Sequence, residues 1–192
     1  MLWAATRRLE RLASDIVDVS DAEEHLTRLQ PARTTTKALV ETAVNAARER
    51  YSDKGVQLHM GEIEPTDVTV DVERIGQVLG NLLDNALRHT PTGGTVTLSA
   101  VRSRTNTAAI TVSDTGEGIA AQHLDHLFDR FYRADPARGR NAGGTGIGLA
   151  ITRALVEAHG GRIRVSSRGT GHGAQFTLEL PCTAETPGTK LL

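Results

Sequence analysis

Residues 81–89 read NLLDNALRH and lie within a stretch whose apolar residues recur at helical spacing. Asp71 is a good N-cap residue and the turn residues PTGG follow at 91–94, so we predict a helix from Asp71 to about His89. The buried stripe of this helix is formed by Ile75, Val78, Leu79, Leu82, Leu83, Ala86 and Leu87.

A second face of the same helix is polar. Asn81, Asn85 and Arg88 fall at positions i, i+4 and i+7, so they lie together beside the apolar stripe. Mg²⁺ takes oxygen ligands and shares its shell with waters and phosphates, which suits two amide oxygens. Arg88 and the adjacent His89 could meet phosphate charge. An ordinary solvated helix surface is the alternative interpretation.

The elements around this helix predict the α+β class. We expect further helices near 2–25, 34–51 and 146–159, and strands near 56–60, 68–70, 95–102, 108–113, 163–165 and 174–180. This order favours a two-layer α/β sandwich, in which a mixed β-sheet is covered by about three helices and an N-terminal helix is added.

Residues 114–119, DTGEGI, follow the predicted strand 108–113 directly. A carboxylate only accepts hydrogen bonds, so Asp114 could recognise an exocyclic amino group such as that of adenine. Gly116 and Gly118 would let the backbone approach a ligand closely. A surface turn is the alternative.

Two further segments carry chemistry. Residues 143–149, GGTGIGL, run into a helix, where free backbone N–H groups bind phosphate. They match neither a Walker loop nor the G-x-G-x-x-G dinucleotide pattern. Residues 128–133, FDRFYR, concentrate aromatic rings near two arginines, which could equally be a small packing anchor.

The composition narrows the classes of function. The net charge of −1 gives no general attraction to nucleic acid, so we expect no nucleic-acid partner. No apolar run approaches the roughly 20 residues that span a bilayer, so we expect no direct membrane insertion. The single cysteine, Cys182, fits a reducing cytoplasm.

In this order and spacing, the four segments resemble the N, G1, F and G2 boxes of sensor histidine kinases. These kinases have an ATP-binding domain of the Bergerat fold, which they share with DNA gyrase, and the resemblance covers about residues 30–180. It implies a protein histidine kinase of a two-component system, with ATP and Mg²⁺ as cofactors.

The resemblance also implies roles for individual residues. Asn85 would ligate Mg²⁺; Asn81, Arg88 and Arg133 would act in catalysis, positioning the reacting groups or contacting phosphate. Residues 134–142 would form a lid over the ATP, anchored by Phe128 and Phe131. The nucleotide-binding set implied is Asn81, Asn85, Arg88, His89, Asp114, Gly116, Gly118, Ile119, Phe128, Phe131, Arg133, Gly144, Thr145, Gly146, Ile147, Gly148 and Leu149.

Two departures from the family pattern are informative. ATP-hydrolysing relatives carry a water-activating Glu one helical turn before the Mg²⁺-binding Asn, where this chain has Asn81, which favours transfer over hydrolysis. None of the seven histidines lies in the His-Glu-x-x-x-Pro context of a phosphoacceptor. We therefore expect the acceptor on a separate protein of a split kinase, which would in turn serve a response regulator. An excised catalytic fragment and an anti-sigma-factor serine kinase of the same fold are the alternatives.

The predicted domains follow from these assignments. Residues 1–29 would be a helix left from the phosphoacceptor hairpin, residues 30–181 the ATP-binding domain and residues 182–192 a disordered tail. The first helix carries an a/d stripe of Leu2, Leu9, Leu12, Ile16 and Val19. Such a stripe would pair with a partner or self-associate, or alternatively fold onto its own domain.

Overall fold

The computed structural model describes residues 29–103, 105–133 and 146–183. The helices are α1 (Thr36–Lys54), α2 (Val72–His89), α3 (Ala121–Leu124) and α4 (Gly148–Ala158). The strands are β1 (Ala32–Thr35), β2 (Gln57–Ile63), β3 (Asp67–Val70), β4 (Thr95–Arg102), β5 (Thr107–Asp114), β6 (Arg162–Ser166) and β7 (Gln175–Pro181).

Five of the strands form a mixed sheet in the order β2-β4-β5-β7-β6, in which only the β2–β4 pairing is parallel. Alternate side chains of the central strands are buried, as the period of two requires, and α1, α2 and α4 contact this sheet. The predicted two-layer α+β sandwich with a mixed sheet is therefore confirmed. A separate antiparallel pair joins β1 to β3.

Helix α2 lies at the centre of the helical layer. Its first turn is capped by Asp71, whose Oδ1 accepts a hydrogen bond from the Arg74 backbone N–H at 3.1 Å. Six of the seven predicted stripe residues are fully buried, and Leu87 is partly buried. At about 1.5–3 kcal/mol for each large apolar side chain, this burial is the main reason that α2 is held in place.

The structure differs from the sequence prediction at the ends of several elements. Residues 32–35 pair with β3 as a strand, and Thr35 caps α1, so this helix begins at Thr36 and not near residue 34. Helix α4 begins at Gly148, two residues later than predicted, and the one-turn helix α3 was not predicted. The predicted N-terminal helix near 2–25 lies wholly outside the described residues.

The end of the predicted domain at residue 181 is followed by two residues that contact the fold. Cys182 forms a β-bridge with Val68, and the Thr183 N–H donates to the Asp67 carbonyl at 2.9 Å. Residues 184–192 of the predicted tail lie outside the described residues. In the ranges that the structure describes, no helix combines the length and apolar character needed to cross a membrane.

Candidate functional site

Asp114 lies at the end of β5, in the middle of the sheet. Its Oδ1 accepts hydrogen bonds from the backbone N–H groups of Gly116 at 2.9 Å and Ala174 at 3.2 Å. Its Oδ2 has no hydrogen-bond donor among the described residues. Burial raises the pKa of the Asp114 carboxyl, and the two hydrogen bonds and the nearby His89 oppose this effect only partly. Asp114 is thus half-buried, with one carboxylate oxygen fixed by two hydrogen bonds and the other available to a ligand.

The glycines after Asp114 are required by contacts within the protein. A Cβ on Gly116 would lie 2.3 Å from the His89 carbonyl oxygen. Gly118 has a φ of 69°, and a Cβ there would lie 2.1 Å from the Gly169 oxygen. The sequence predicted a close approach of this backbone to a ligand, whereas the described close approach is to neighbouring backbone. The next residue, Ile119, packs against the hydrophobic core and is only partly buried.

The C-terminal turn of α2 meets this loop. Lys54 Nζ donates to the carbonyls of Leu87 at 2.6 Å and Arg88 at 3.1 Å, which satisfies two free acceptors of the helix end. His89 Nδ1 lies 3.5 Å from Glu117 Oε2, and the Glu117 N–H donates to the His89 carbonyl at 3.0 Å. Lys54, Arg88, His89 and Glu117 line a cavity of about 440 Å³, within the usual range of small-molecule sites.

The two asparagines of α2 differ in their contacts. Asn81 Nδ2 donates to the Gly148 carbonyl at 3.3 Å and to Thr152 Oγ1 at 3.4 Å, so it joins α2 to the first turn of α4. Asn81 Oδ1 and the half-buried Asn85 side chain make no hydrogen bond within the described part of the chain. Two amide oxygens are therefore open at the predicted metal site, and this donor chemistry fits Mg²⁺.

The N-terminus of α4 carries the described part of the glycine-rich segment. Ile147 is the N-cap residue and makes no side-chain cap, so the first N–H groups of α4, including those of Gly148 and Leu149, have no intrahelical acceptor. Such groups suit a phosphate. Gly144, Thr145 and the predicted lid at 134–142 lie outside the described residues.

The predicted lid anchors behave differently from each other. Phe128 packs edge-to-face on Phe176, with ring centroids 6.5 Å apart. Phe131 is 62% exposed and has a φ of 64°; its backbone N–H, not its ring, makes the described contact, with the Gly146 carbonyl at 3.0 Å. Arg133 is exposed. Residues 131 and 146 thus join the two ends of the segment that carries the predicted lid.

The candidate site lies within a segment that matches a known protein family. Residues 70–184 match the family model of histidine kinase-, DNA gyrase B- and HSP90-like ATPases, which is more than half of the chain. The chain belongs to this ATPase family. The match covers α2, the Asp114 loop and α4, so the ATPase domain contains the candidate site.

The relatives of this ATPase domain include sensor kinases. The signal transduction histidine-protein kinase BaeS of Escherichia coli is 37% identical over 94% of this chain, and the sensor protein SrrB of Staphylococcus aureus is 34% identical over 92%. The chain spans 38% of the length of BaeS and 30% of that of SrrB. The mycobacterial sensor histidine kinase MprB superimposes with a TM-score of 0.69 at 28% identity, over 80% of this chain and 98% of the MprB chain.

Sequence reasoning missed the residues that the sheet order brings to the site from a distance. Ser167, Gly171, Gly173 and Ala174 contact the Asp114 loop because β7 pairs with β5. The glycine-rich residues 169–173 are typical of a turn, but no local signal in the sequence places that turn beside Asp114. Lys54 was missed because its partners are backbone carbonyls more than 30 residues away.

Proposed function

We propose that this ATPase domain binds ATP with Mg²⁺ and transfers the γ-phosphoryl group to a histidine on a separate partner protein of a two-component system. A response regulator would receive the phosphoryl group from that partner. The proposal includes a cytoplasmic location, where ATP is present and a lone thiol such as Cys182 stays reduced.

The observation that carries the proposal is the state of Asp114. One carboxylate oxygen is held by two backbone N–H groups, and the other has no donor in the described structure. An adenine amino group would supply that donor, and the adjoining cavity of about 440 Å³ has room for a base. His89, Gly116 and Glu117, which line the cavity, would contact the nucleotide.

The phosphates would extend from the base toward the first turns of α4. In this assignment Asn85, with Asn81 beside it, would hold Mg²⁺, and the N–H groups of Gly148 and Leu149 would bind phosphate oxygens. The metal would supply charge neutralisation of the triphosphate. Arg88 and Arg133 are exposed arginines that would contact the transferred group.

Transfer is favoured over hydrolysis because Asn81 has no basic group. Its amide donates to Gly148 and Thr152, so it would position α4 and would not activate water. In the transfer, the bond from the γ-phosphorus to the bridging oxygen breaks, and a bond to an imidazole nitrogen of the acceptor forms. ADP leaves with the electrons of the broken bond, and positioning supplies most of the catalysis.

The proposal is tested by incubating this chain with γ-labelled ATP, Mg²⁺ and candidate partners that contain a helical hairpin with a histidine. We expect label on the partner that is lost in acid and retained in base, as phosphohistidine requires. Asn85→Ala should fold normally and transfer far less label, whereas Asn45→Ala, at an exposed position of α1, should match the parent chain.

Acid-stable label on a serine would contradict the proposal and favour the anti-sigma-factor type of kinase. Strong labelling of one of this chain's own histidines would contradict the separate acceptor. If Asn85→Ala is unfolded, Asn85 is needed for folding, and its assignment as a metal ligand would be withdrawn.

A further inference from the structure

The turn between β6 and β7 packs directly on the loop that follows Asp114. The Gly171 N–H donates to the Glu117 carbonyl at 2.6 Å, and the Gly173 N–H donates to the Gly116 carbonyl at 3.1 Å. The Ala174 N–H donates to Asp114 Oδ1 at 3.2 Å. The position of this turn therefore sets one of the two hydrogen bonds that hold the Asp114 carboxylate.

The contact between the turn and the loop is backbone against backbone. A Cβ on Gly173 would lie 1.9 Å from the Asp114 carbonyl oxygen, and one on Gly118 would lie 2.1 Å from the Gly169 oxygen. With no room for side chains at these points, the separation of the two segments depends on hydrogen bonds.

Ser167 supplies a side-chain hydrogen bond between the two segments. Its Oγ accepts from the Ile119 N–H at 3.0 Å and from the Gly169 N–H at 3.2 Å, and it donates to the Gly173 carbonyl at 2.6 Å. A hydroxyl has one hydrogen and two lone pairs, so all of its bonding capacity is used. One hydroxyl thus joins the start of the turn, its end and the Asp114 loop.

We propose that Ser167 is a positioning residue for nucleotide binding, whose hydroxyl holds the β6–β7 turn at the distance that keeps Asp114 oriented toward the base. This inference rests on the proposed function. The Ser167 hydroxyl is fully engaged by the backbone of Ile119, Gly169 and Gly173, so Ser167 acts through these neighbours.

The substitution Ser167→Ala removes the hydroxyl and leaves two N–H groups without their acceptor. The hydrogen bonds between the strands of the sheet are untouched, so the effect should be local. We expect the Kd for ATP to rise about tenfold, the equivalent of one well-placed hydrogen bond. Ser167→Thr retains the hydroxyl and should bind ATP close to the parent level.

The experiment is a calorimetric titration of Mg²⁺ and ATP into the parent chain, Ser167→Ala, Ser167→Thr and Ser166→Ala. Ser166 is the exposed neighbour at the end of β6 and serves as the matched control. The titration is repeated across acidic pH, because displacement of the Ala174 N–H from Asp114 removes one of the interactions that lower its pKa. In Ser167→Ala, the pH at which ATP binding is half lost should therefore move upward.

Parent-like affinity in Ser167→Ala would overturn this inference alone. So would an unchanged Kd with a reduced fraction of binding-competent protein, since that pattern means partial unfolding. A parent chain that binds no ATP would overturn the proposed function, and this inference with it.

Discussion

Asp114 carries a half-buried charge that opposes the stability of the fold. Because burial raises its pKa, the native state binds a proton more readily than the unfolded chain does. The free energy of unfolding therefore falls as pH rises from the unfolded-state pKa, near 3.9, through the higher native pKa. At neutral pH the half-buried charge reduces stability, and nucleotide binding would be the reason that it is retained.

The substitution Asp114→Asn separates the effect of this charge on stability from its proposed effect on ATP binding. The amide keeps one oxygen for the Gly116 and Ala174 N–H groups but presents a donor where adenine also donates. We expect ATP binding to weaken by about 2–3 kcal/mol, because a charged acceptor is lost and polar groups are left unpaired. We also expect the free energy of unfolding without ATP at pH 7 to be no lower than that of the parent chain.

Calorimetry and denaturant titration measure these two quantities on the same samples. Equal ATP affinity in Asp114→Asn would contradict the assignment of Asp114 to the base. A much lower free energy of unfolding in Asp114→Asn at neutral pH would contradict the inference that the Asp114 charge destabilises the fold.

Among the contacts that join helices α1 and α2, two hydrogen-bonding side chains differ in their distance from the candidate site. The buried Tyr51 hydroxyl donates to the Leu83 carbonyl at 2.8 Å, behind the apolar stripe of α2. Lys54 Nζ binds the Leu87 and Arg88 carbonyls at the cavity. The first contact belongs to the core, whereas the second orients the end of α2 that carries Arg88 and His89.

Substitutions at these two positions should have separable effects. Tyr51→Phe should lower the free energy of unfolding by about 1 kcal/mol and leave ATP affinity unchanged. Lys54→Met should cost a similar or slightly larger amount, about 1–2 kcal/mol, because the lost hydrogen bonds are charge-assisted and partly exposed. Lys54→Met should also weaken ATP binding, and identical affinities in the two variants would contradict this division.

Local sequence signals predict helix α2 but not the elements that depend on distant strand pairing. Helix α2 was predicted to within a residue at its start because its capping residue and its 3.6-residue stripe are local signals. Strand β1 was missed because the four residues ARTT alternate in no obvious way and depend on β3 for pairing. The role of Ser167 was also missed because it depends on a distant pairing. Only the β5–β7 pairing brings the turn that contains Ser167 to Asp114.

At the scale of the whole molecule, the proposed function requires an acceptor for the phosphoryl group. In the proposed function, Asp114, the open asparagine oxygens and the start of α4 would form one nucleotide site, and none of the chain's histidines has a phosphoacceptor sequence context. The a/d stripe of Leu2, Leu9, Leu12, Ile16 and Val19, which lies outside the described residues, is our proposed docking surface for the partner.

Charged substitutions in this stripe test the docking proposal. Leu9→Glu with Ile16→Glu should abolish transfer to the partner, because the apolar area buried against the partner helix contributes roughly 25 cal/mol per Å². ATP affinity should stay at the parent value, since residues 70–184 carry the ATPase match. Undiminished transfer by the double variant, measured with labelled ATP, would argue against this surface.

The central claim is that ATP binds between the Asp114 loop, α2 and the start of α4. The most direct test is to add Mg²⁺ and ATP to isotopically labelled protein and follow each backbone amide by NMR. The largest shifts should occur at Gly116, Ile119 and Ala174 around the base, and at Asn85 and Leu149 around the phosphates. An absence of saturable shifts, or shifts confined to residues remote from this site, would contradict the claim.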